Sequence, residues 1–124
     1  MVNLQQTLSQ EMNRGKQFVL YKGEMEFYLD IDEILFFETD GNQVMAHTCD
    51  DANETRKKLY ELEGTLGPGF QRISKSSIVN VKKIYAINKN LAASSEISFQ
   101  NTHKQIYVSR AYYKTLKEKL EEVR

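Results

Sequence analysis

The residues best suited to chemistry lie in one segment, residues 70–84, with the sequence FQRISKSSIVNVKKI. Arg72, Lys75 and three nearby serines stand there between apolar anchors at Phe70 and Ile78. Arginine, lysine and serine are donors that phosphate oxygens and guanine edges accept. The segment therefore favours contact with a nucleic acid, although an exposed strand edge protected by charged side chains would have the same composition.

Residues that could support catalysis or bind a metal do not form a recognisable constellation. The chain has one cysteine, Cys49, and two histidines, His47 and His103, which are far apart in sequence. They provide neither a disulfide framework nor the ligand spacing of a zinc site. The glycines within residues 64–69 match neither a phosphate-binding loop nor a dinucleotide fingerprint. We therefore expect no enzymatic activity, no metal, no cofactor and no small-molecule substrate.

The charges of the chain are balanced overall but unevenly distributed. The whole sequence has 17 Lys+Arg and 17 Asp+Glu. Residues 1–54 carry 3 basic and 11 acidic side chains, residues 55–89 carry 8 and 2, and residues 90–124 carry 6 and 4. This asymmetry is compatible with a basic face turned toward a polyanion, and equally with ordinary solvated faces.

Length and composition favour one folded domain. The 124 residues are 40% hydrophobic and include 7 Tyr and 6 Phe, which is enough apolar surface for a core without disulfide or metal. No stretch approaches the ~18 apolar residues of a membrane helix, and no signal-peptide pattern follows Met1. We expect a cytoplasmic protein that does not associate with a membrane.

Short runs rich in aromatic and branched residues predict many strands. The predicted strands are Phe18–Tyr21, Met25–Ile31, Ile34–Glu38, Gln43–Thr48, Phe70–Ile73, Ile78–Val81, Ile84–Ile87, Ile97–Phe99 and Ile106–Val108. The sequence Asp-Gly-Asn at 40–42 predicts a hairpin tip, because a type I′ turn needs positive φ at its central residues.

One helix is predicted in the middle of the chain. Three leucines recur at helical spacing within residues 59–66, which indicates a helix over about residues 52–66. Asp51 and Glu54 are spaced as a capping box at its start. The Gly-Pro-Gly sequence at 67–69 is typical of a helix end.

A second helix is predicted at the carboxyl end of the chain. It is expected from about Ala111, with Ser109 as its cap and an apolar stripe that includes Leu116 and Leu120. Together the predicted elements indicate a mostly β fold, largely antiparallel, with one mid-chain helix and a C-terminal helix attached.

The segment at 70–84 resembles the signature of the LytTR DNA-binding domain, approximately Phe-x-Arg-x-His-Arg/Lys-Ser-x-x-Val-Asn-x-x-x-Ile. The residues in register with it are Phe70, Arg72, Lys75, Ser76, Val79, Asn80 and Ile84. Ile31–Glu38, Leu59–Leu66 and Tyr107–Arg110 resemble the family's early strand pair, its helix and its late strand end. Several motifs in the same order make the resemblance specific, and it extends over most of the chain.

The resemblance implies an elongated arrangement of small antiparallel sheets and the function of a bacterial transcriptional regulator. In that family, loops rather than a recognition helix read double-stranded DNA. The corresponding loops here are residues 40–43, 74–76 and 109–110. Ser74 stands where the family commonly has histidine. A contact that this histidine makes in relatives is therefore absent here, although the Ser74 hydroxyl can still donate a hydrogen bond to a phosphate.

Carried over residue by residue, the resemblance implies two sets of contacts. The implied base contacts are Asn42, Gln43, Lys75 and Arg110. Asparagine or glutamine can pair with adenine, and arginine or lysine with guanine, at about 1–3 kcal/mol of discrimination each. The implied phosphate contacts, which give salt-dependent affinity without sequence information, are Arg56, Arg72, Ser74, Ser76, Lys82, Lys83, Ser109 and Lys114.

Some alternatives stay open at this point. A carboxylate within the fold could hold Arg72, and Asn80 suits a buried turn better than a DNA contact. The chain could also be a protein-interaction module without DNA readout, in which aromatic pairs such as Phe36-Phe37 or Tyr112-Tyr113 form the partner surface. The same aromatic pairs suit a core.

Domain organisation follows from the resemblance as well. Residues 1–17 are expected to be a linker or a short helix, and residues 18–124 the DNA-binding domain. Relatives usually carry a receiver or other sensor domain ahead of this module, as the output domain of a two-component response regulator. The chain would be a fragment of such a regulator or a stand-alone one, with promoter repeats as its target and self-association on DNA.

Overall fold

The computed structural model describes residues 17–89 and 94–123, and about half of these residues form strands. Residues 1–17 were predicted to be a linker or a short helix, and residues 1–16 of that segment lie outside the described residues. The strands are β1 Gln17–Lys22, β2 Met25–Asp30, β3 Phe36–Asp40, β4 Gln43–His47, β5 Ala52–Glu54, β6 Phe70–Ser74, β7 Ser77–Asn80, β8 Ile84–Asn88, β9 Ser94–Phe99 and β10 Gln105–Ser109. The helices are α1 Leu59–Thr65 and α2 Arg110–Val123, and 3-10 turns cover Ile31–Glu33 and Val81–Lys83.

The strands form two antiparallel sheets. The larger sheet has the order β2-β1-β5-β4-β3-β7-β6, and the smaller has the order β10-β9-β8. The β1–β2 hairpin joins the larger sheet through one pair, Tyr21 with Glu54. The predicted fold class, small antiparallel sheets with a mid-chain helix and a C-terminal helix, is confirmed.

Two adjacent phenylalanines on β3 organise a core on each face of the larger sheet. Successive strand residues point to opposite faces, and Phe36 and Phe37 are 2% and 0% exposed. Phe37 packs with Leu20, Ile78 and the leucines of α1. Phe36 packs with Val79, the smaller sheet and α2. The Phe36-Phe37 pair is therefore core, as one of the two interpretations of the sequence expected.

The predicted helix over residues 52–66 is wrong in its first half. Ala52–Glu54 is strand β5, which pairs with β4 on one side and with β1 on the other. The chain then passes through Arg56 at a φ of 62°, which no α-helix contains. Pairing with the neighbouring strands gives the backbone groups of β5 their hydrogen-bond partners, and it overrides the local helical pattern.

The start of α1 differs accordingly. The backbone N–H of Lys58 donates to the Glu61 carboxylate at 2.8 Å, so the acidic residue that caps the helix is Glu61 and not Glu54. The Asp51 carboxylate accepts from the backbone of Ala52 and from Lys22 instead. Gly67 adopts a φ of 89° just after the helix, as the Gly-Pro-Gly sequence predicted.

The smaller sheet is joined to the larger one where the β9–β10 turn meets the β4–β5 connection. Thr102 Oγ1 donates to the Cys49 carbonyl at 2.7 Å. The Lys104 ammonium lies 3.3 Å from His47 Nδ1 and donates to the Asp51 carbonyl. We call this contact the joint.

Neither described α-helix is long and apolar enough to cross a membrane.

His47 is held in the joint as a neutral ring. It stacks on Phe36 with 4.4 Å between ring centroids, and Phe36 in turn stacks on Phe99 of the smaller sheet. Burial, and then the positive charge of Lys104, lower the pKa of His47 to about 4. The folded protein therefore keeps His47 uncharged at a pH where an unfolded histidine would bind a proton.

This low pKa makes the free energy of unfolding depend on pH. The pKa of His47 is lower in the folded chain than the value of roughly 6.5 in an unfolded one. His47 therefore contributes its full share of the unfolding free energy above about pH 6.5, and this share is lost as the pH falls toward about 4. We expect His47→Gln to flatten the fall in unfolding free energy over that window, measured by urea titration at several pH values. The exposed His103 is the matched control. If His47→Gln and His103→Gln show the same pH dependence as the unmodified chain, the neutral-ring assignment is wrong.

Candidate nucleic-acid interface

The first candidate loop is the tip of the β3–β4 hairpin. Asp40 pairs with Gln43 across a two-residue turn, and Gly41 adopts a φ of 66°. Only small or flexible residues accept this left-handed conformation without strain, which is why the Asp-Gly-Asn sequence folds here. Asn42 and Gln43 are exposed at this tip. The predicted hairpin is confirmed, but its turn is not of type I′, because only Gly41 of the two central residues has a positive φ.

The second candidate loop joins β6 to β7. Ser74 pairs with Ser77, so that Lys75 and Ser76 form the tip and are both exposed. The Ser76 backbone N–H donates to Ser74 Oγ at 3.1 Å, a short-range bond typical of serine in turns. The register of β6 shifts between Arg72 and Ser74, and this irregularity changes the direction of the strand just before the turn.

The two tips lie side by side. β3 pairs with β7, with Glu38 opposite Ser77, and the pairing continues beyond the strands. The Thr39 backbone N–H donates to the Ser76 carbonyl at 2.9 Å, and Thr39 Oγ1 donates to the same oxygen at 3.2 Å. Residues 40–43 and residues 74–76, separated by about thirty positions in sequence, therefore project from one end of the sheet.

Basic side chains of the β5–α1 connection lie at the same end. The Thr55 backbone N–H donates to the Val44 carbonyl at 3.0 Å, which places Arg56 beside Gln43. The Arg56 guanidinium lies 3.8 Å from the centre of the Tyr21 ring, a cation–π contact. The following two residues, Lys57 and Lys58, are exposed. Sequence reasoning missed these two lysines as site candidates, although the uninterrupted Arg-Lys-Lys run could have indicated them.

Arg72 does not point outward as a simple phosphate contact would. Its Nη1 donates to the Glu63 carboxylate at 2.7 Å, so the alternative in which a carboxylate holds it is confirmed. Its Nε donates to the Ser74 carbonyl at 2.8 Å, and its Nη2 donates to the Lys75 carbonyl at 2.6 Å. We call this arrangement the arginine clamp. It fixes the two successive peptide carbonyls on either side of the Lys75 Cα and links the turn to α1.

The structure does not bring Lys82 and Lys83 to this end. They form the 3-10 turn that follows β7, whereas Lys75 precedes β7. A four-residue strand spans roughly 13 Å at ~3.3 Å per residue, and the two lysines lie beyond its far end. Asn80 is buried in that turn, donating to the Ile34 carbonyl and accepting from the Lys82 backbone, which confirms it as a turn residue.

The third candidate segment lies at the end of the smaller sheet that is remote from the joint. Ser109 ends β10 opposite Ser94, and Arg110 begins α2 one residue earlier than expected. Both β10 and α2 pack against β6, the strand that carries Ser74. Arg110 and Lys114 are exposed on the first turns of α2. These two residues thus lie on an element that packs against β6.

Acidic groups are present among the basic ones. Glu38 is partly buried beside the β6–β7 turn, and burial followed by the charge of nearby Asp40 raises its pKa above the usual value. The end that holds the tips is thus mixed in charge rather than uniformly positive. Among residues 17–89 and 94–123, no cluster of histidine, cysteine and carboxylate side chains has the arrangement of a metal site.

Comparison with known proteins relates this chain to DNA-binding domains and transcriptional regulators. The family model of the LytTr DNA-binding domain matches residues 25–121. Proteins described as uncharacterized HTH-type transcriptional regulators of Staphylococcus aureus are similar over 113 residues, 89% of this chain and 74% of theirs. The identity is 30% for strain NCTC 8325 and 31% for the bovine strain RF122.

A solved structure shares the fold. It is described as the LytTr DNA-binding domain of a methyl-accepting/DNA response regulator from Bacillus cereus. The TM-score is 0.76 and the sequence identity 21%, over 84% of this chain and 95% of that one. The two described α-helices of the present chain are separated by five strands, β6 to β10, so they do not form a helix-turn-helix despite the name given to the relatives.

The arginine clamp leads to a prediction about the β6–β7 turn. Arg72→Lys keeps the charge but cannot provide the forked donors that reach Glu63 and both carbonyls. We expect faster hydrogen exchange at the backbone N–H groups of Ser76 and Ser77 and a loss of about 1–3 kcal/mol in unfolding free energy. Glu63→Gln, which leaves both carbonyl bonds in place, is the matched control and should change exchange much less. Unchanged exchange in Arg72→Lys would show that the clamp does not hold the turn.

Proposed function

This chain belongs to the LytTR family of DNA-binding domains, and from that premise we propose that it is a bacterial transcriptional regulator that reads double-stranded DNA through loops. The main support is the pair of hydrogen bonds from Thr39 to the Ser76 carbonyl, because they hold two exposed loop tips next to each other. Residues 18–124 form the DNA-binding domain in this proposal.

In the proposed complex the two adjacent tips enter the major groove. Neighbouring strands lie about 4.8 Å apart, and a groove of about 12 Å accepts a two-stranded ribbon. Asn42 and Gln43 would then pair with adenine, and Lys75 with guanine O6 and N7. Arg110 would reach guanine from the start of α2. The first two segments are short tips carried by paired strands, and the third lies where β10 passes into α2.

Phosphate contacts would surround these base contacts. We assign them to Arg56, Ser74, Ser76, Ser109 and Lys114, and we add Lys57 and Lys58 because they follow Arg56 at the same end. Arg72 acts indirectly by holding the turn. Lys82 and Lys83 lie at the other end of β7 and would touch DNA only if the duplex extended along the sheet.

The wider role remains part of the proposal. We propose a cytoplasmic regulator that recognises promoter repeats, self-associates on them and has no catalytic activity, in the manner of a response-regulator output domain in a two-component system. The interaction-module alternative loses its strongest surface, because Phe36 and Phe37 are buried in the two cores. Tyr112 and Tyr113 are partly buried against the core that contains Phe36.

Base readout is tested with Lys75→Ala and Arg110→Ala on an operator selected from a random DNA pool. Each substitution should weaken specific binding by about 5- to 150-fold, equivalent to ~1–3 kcal/mol, and should lower the ratio of specific to nonspecific affinity. Lys117→Ala, at an exposed position further along α2, is the matched control. If Lys75→Ala and Arg110→Ala both leave that ratio unchanged, the loops do not read the bases.

Phosphate contacts are tested separately by salt dependence. The logarithm of the association constant should fall linearly with the logarithm of salt concentration, and Lys57→Ala with Lys58→Ala should make the slope shallower by about one to two units. Fluorescence anisotropy over a salt series measures this slope. Binding that persists at high salt with an unchanged slope would favour the interaction module instead.

A further inference from the structure

Arg56 has a backbone conformation that residues with a side chain rarely adopt. Its φ of 62° lies in the left-handed region, which glycine or asparagine accepts at lower cost. Thr55 holds this turn, because its Oγ1 atom accepts from the Lys57 backbone N–H at 2.9 Å and donates to the Lys57 carbonyl at 3.2 Å. Strained conformations of this kind are common at ligand-binding sites, where a particular side chain is needed.

The Tyr21 ring holds the Arg56 side chain by its face. The guanidinium carbon lies 3.8 Å from the ring centre, a separation typical of stacked planar groups. Tyr21 is also the residue through which the β1–β2 hairpin pairs with β5. Because a stacked cation–π contact uses the face of the guanidinium, the N–H donors at its edge stay available.

Arg56 and Arg72 differ in what their donors meet. In the arginine clamp, Nε, Nη1 and Nη2 of Arg72 all donate to acceptors within the fold. Arg56 takes part in none of the ion pairs among residues 17–89 and 94–123. It is exposed, and the contact with Tyr21 fixes its position without using a donor. Arg72 therefore serves the scaffold, whereas Arg56 is prepared for an acceptor outside the chain.

Two carboxylates flank the Tyr21 ring without pairing with Arg56. Glu26 and Glu54 stand opposite Tyr21 on the two neighbouring strands. The Glu26 carboxylate instead accepts from the Tyr28 hydroxyl at 2.6 Å. A phosphodiester group offers two oxygens to the planar fork of an arginine, and it is the anion that duplex DNA would bring to this end of the sheet.

We propose that Tyr21 is a positioning residue for DNA binding: its ring holds the Arg56 guanidinium so that the free N–H edge donates two parallel hydrogen bonds to one phosphate of the duplex. This inference rests on the proposed function. Thr55 bonds to Val44, which places Arg56 beside Gln43 on a strand about 4.8 Å away, so the phosphate borders the groove that the β3–β4 tip enters. An arginine already held by the ring loses less side-chain entropy on binding than a free one.

The test measures duplex binding by the full chain with fluorescence anisotropy. Tyr21→Leu should weaken binding to the selected operator and to a scrambled duplex by the same factor, about 2- to 5-fold, because the ring orients a phosphate contact and not a base contact. Tyr21→Phe keeps a ring face and should bind like the unmodified chain. Tyr85→Leu, the same change at an exposed tyrosine of β8, is the matched control. Unweakened binding by Tyr21→Leu, or a loss confined to the operator, overturns the proposal.

A double-mutant cycle separates positioning from a structural role. Arg56→Ala should weaken binding and make the salt slope shallower by about one unit, and Tyr21→Leu should add nothing in that background. A further loss there would show that Tyr21 acts on the fold and not through Arg56. If Arg56→Ala binds normally while Lys75→Ala loses specificity, this inference fails and the DNA-binding function stands. If the unmodified chain binds neither duplex, both fail.

The unmodified chain provides a readout that does not depend on the folding of a variant. The Arg72 Nε–H, which donates to the Ser74 carbonyl at 2.8 Å, should be protected from exchange with water in the free chain. The guanidinium N–H groups of Arg56 should exchange rapidly in the free chain and become protected when the operator is added, as followed by NMR. Rapid exchange of all Arg56 N–H groups in the complex overturns the proposal.

Discussion

The pairing of β3 with β7 is the constraint on which the rest of the structure depends. It joins Phe36–Glu38 to Ser77–Val79 across some forty residues of sequence. Because β3 is central, it sends Phe36 into one core and Phe37 into the other, so both cores form only when this strand is in register. A slip of one residue would exchange the two faces. The same register sets Thr39 opposite the Ser76 carbonyl and thereby aligns the loop tips.

Local signals in the sequence were sufficient for much of the fold. The Asp-Gly-Asn hairpin and the Gly-Pro-Gly helix end form where predicted, since the backbone conformation of a glycine is a property of a few neighbouring residues. Strand β5 could not be predicted in this way. Ala52 and Glu54 are good helix formers, and only the pairing of β5 with β4 and with β1, a strand distant in sequence, makes them β.

In the candidate site, too, some features follow from the local sequence and others depend on contacts between distant segments. The family signature indicated the β6–β7 turn as a whole, but the role of Arg72 depends on Glu63, which helix α1 places beside it. Lys82 and Lys83 lie within the same signature as Lys75, yet a strand separates them in space. Proximity in sequence was thus a poor guide to proximity in the fold. Asn53, whose buried side-chain oxygen has no hydrogen-bond partner among residues 17–89 and 94–123, had no sequence signal, since its burial arises from β5 lying between two neighbours.

The arginine clamp has a consequence for how such a domain diversifies. Arg72 bonds the main-chain carbonyls of Ser74 and Lys75 and leaves their side chains unengaged by the guanidinium. The shape of the turn is therefore maintained separately from the identity of the residue at position 75. Under the proposed readout by residue 75, a mutation there would exchange one base preference for another while the scaffold persists. Regulators with the same fold would in this way acquire different operators through single substitutions, without first passing through an unstable intermediate.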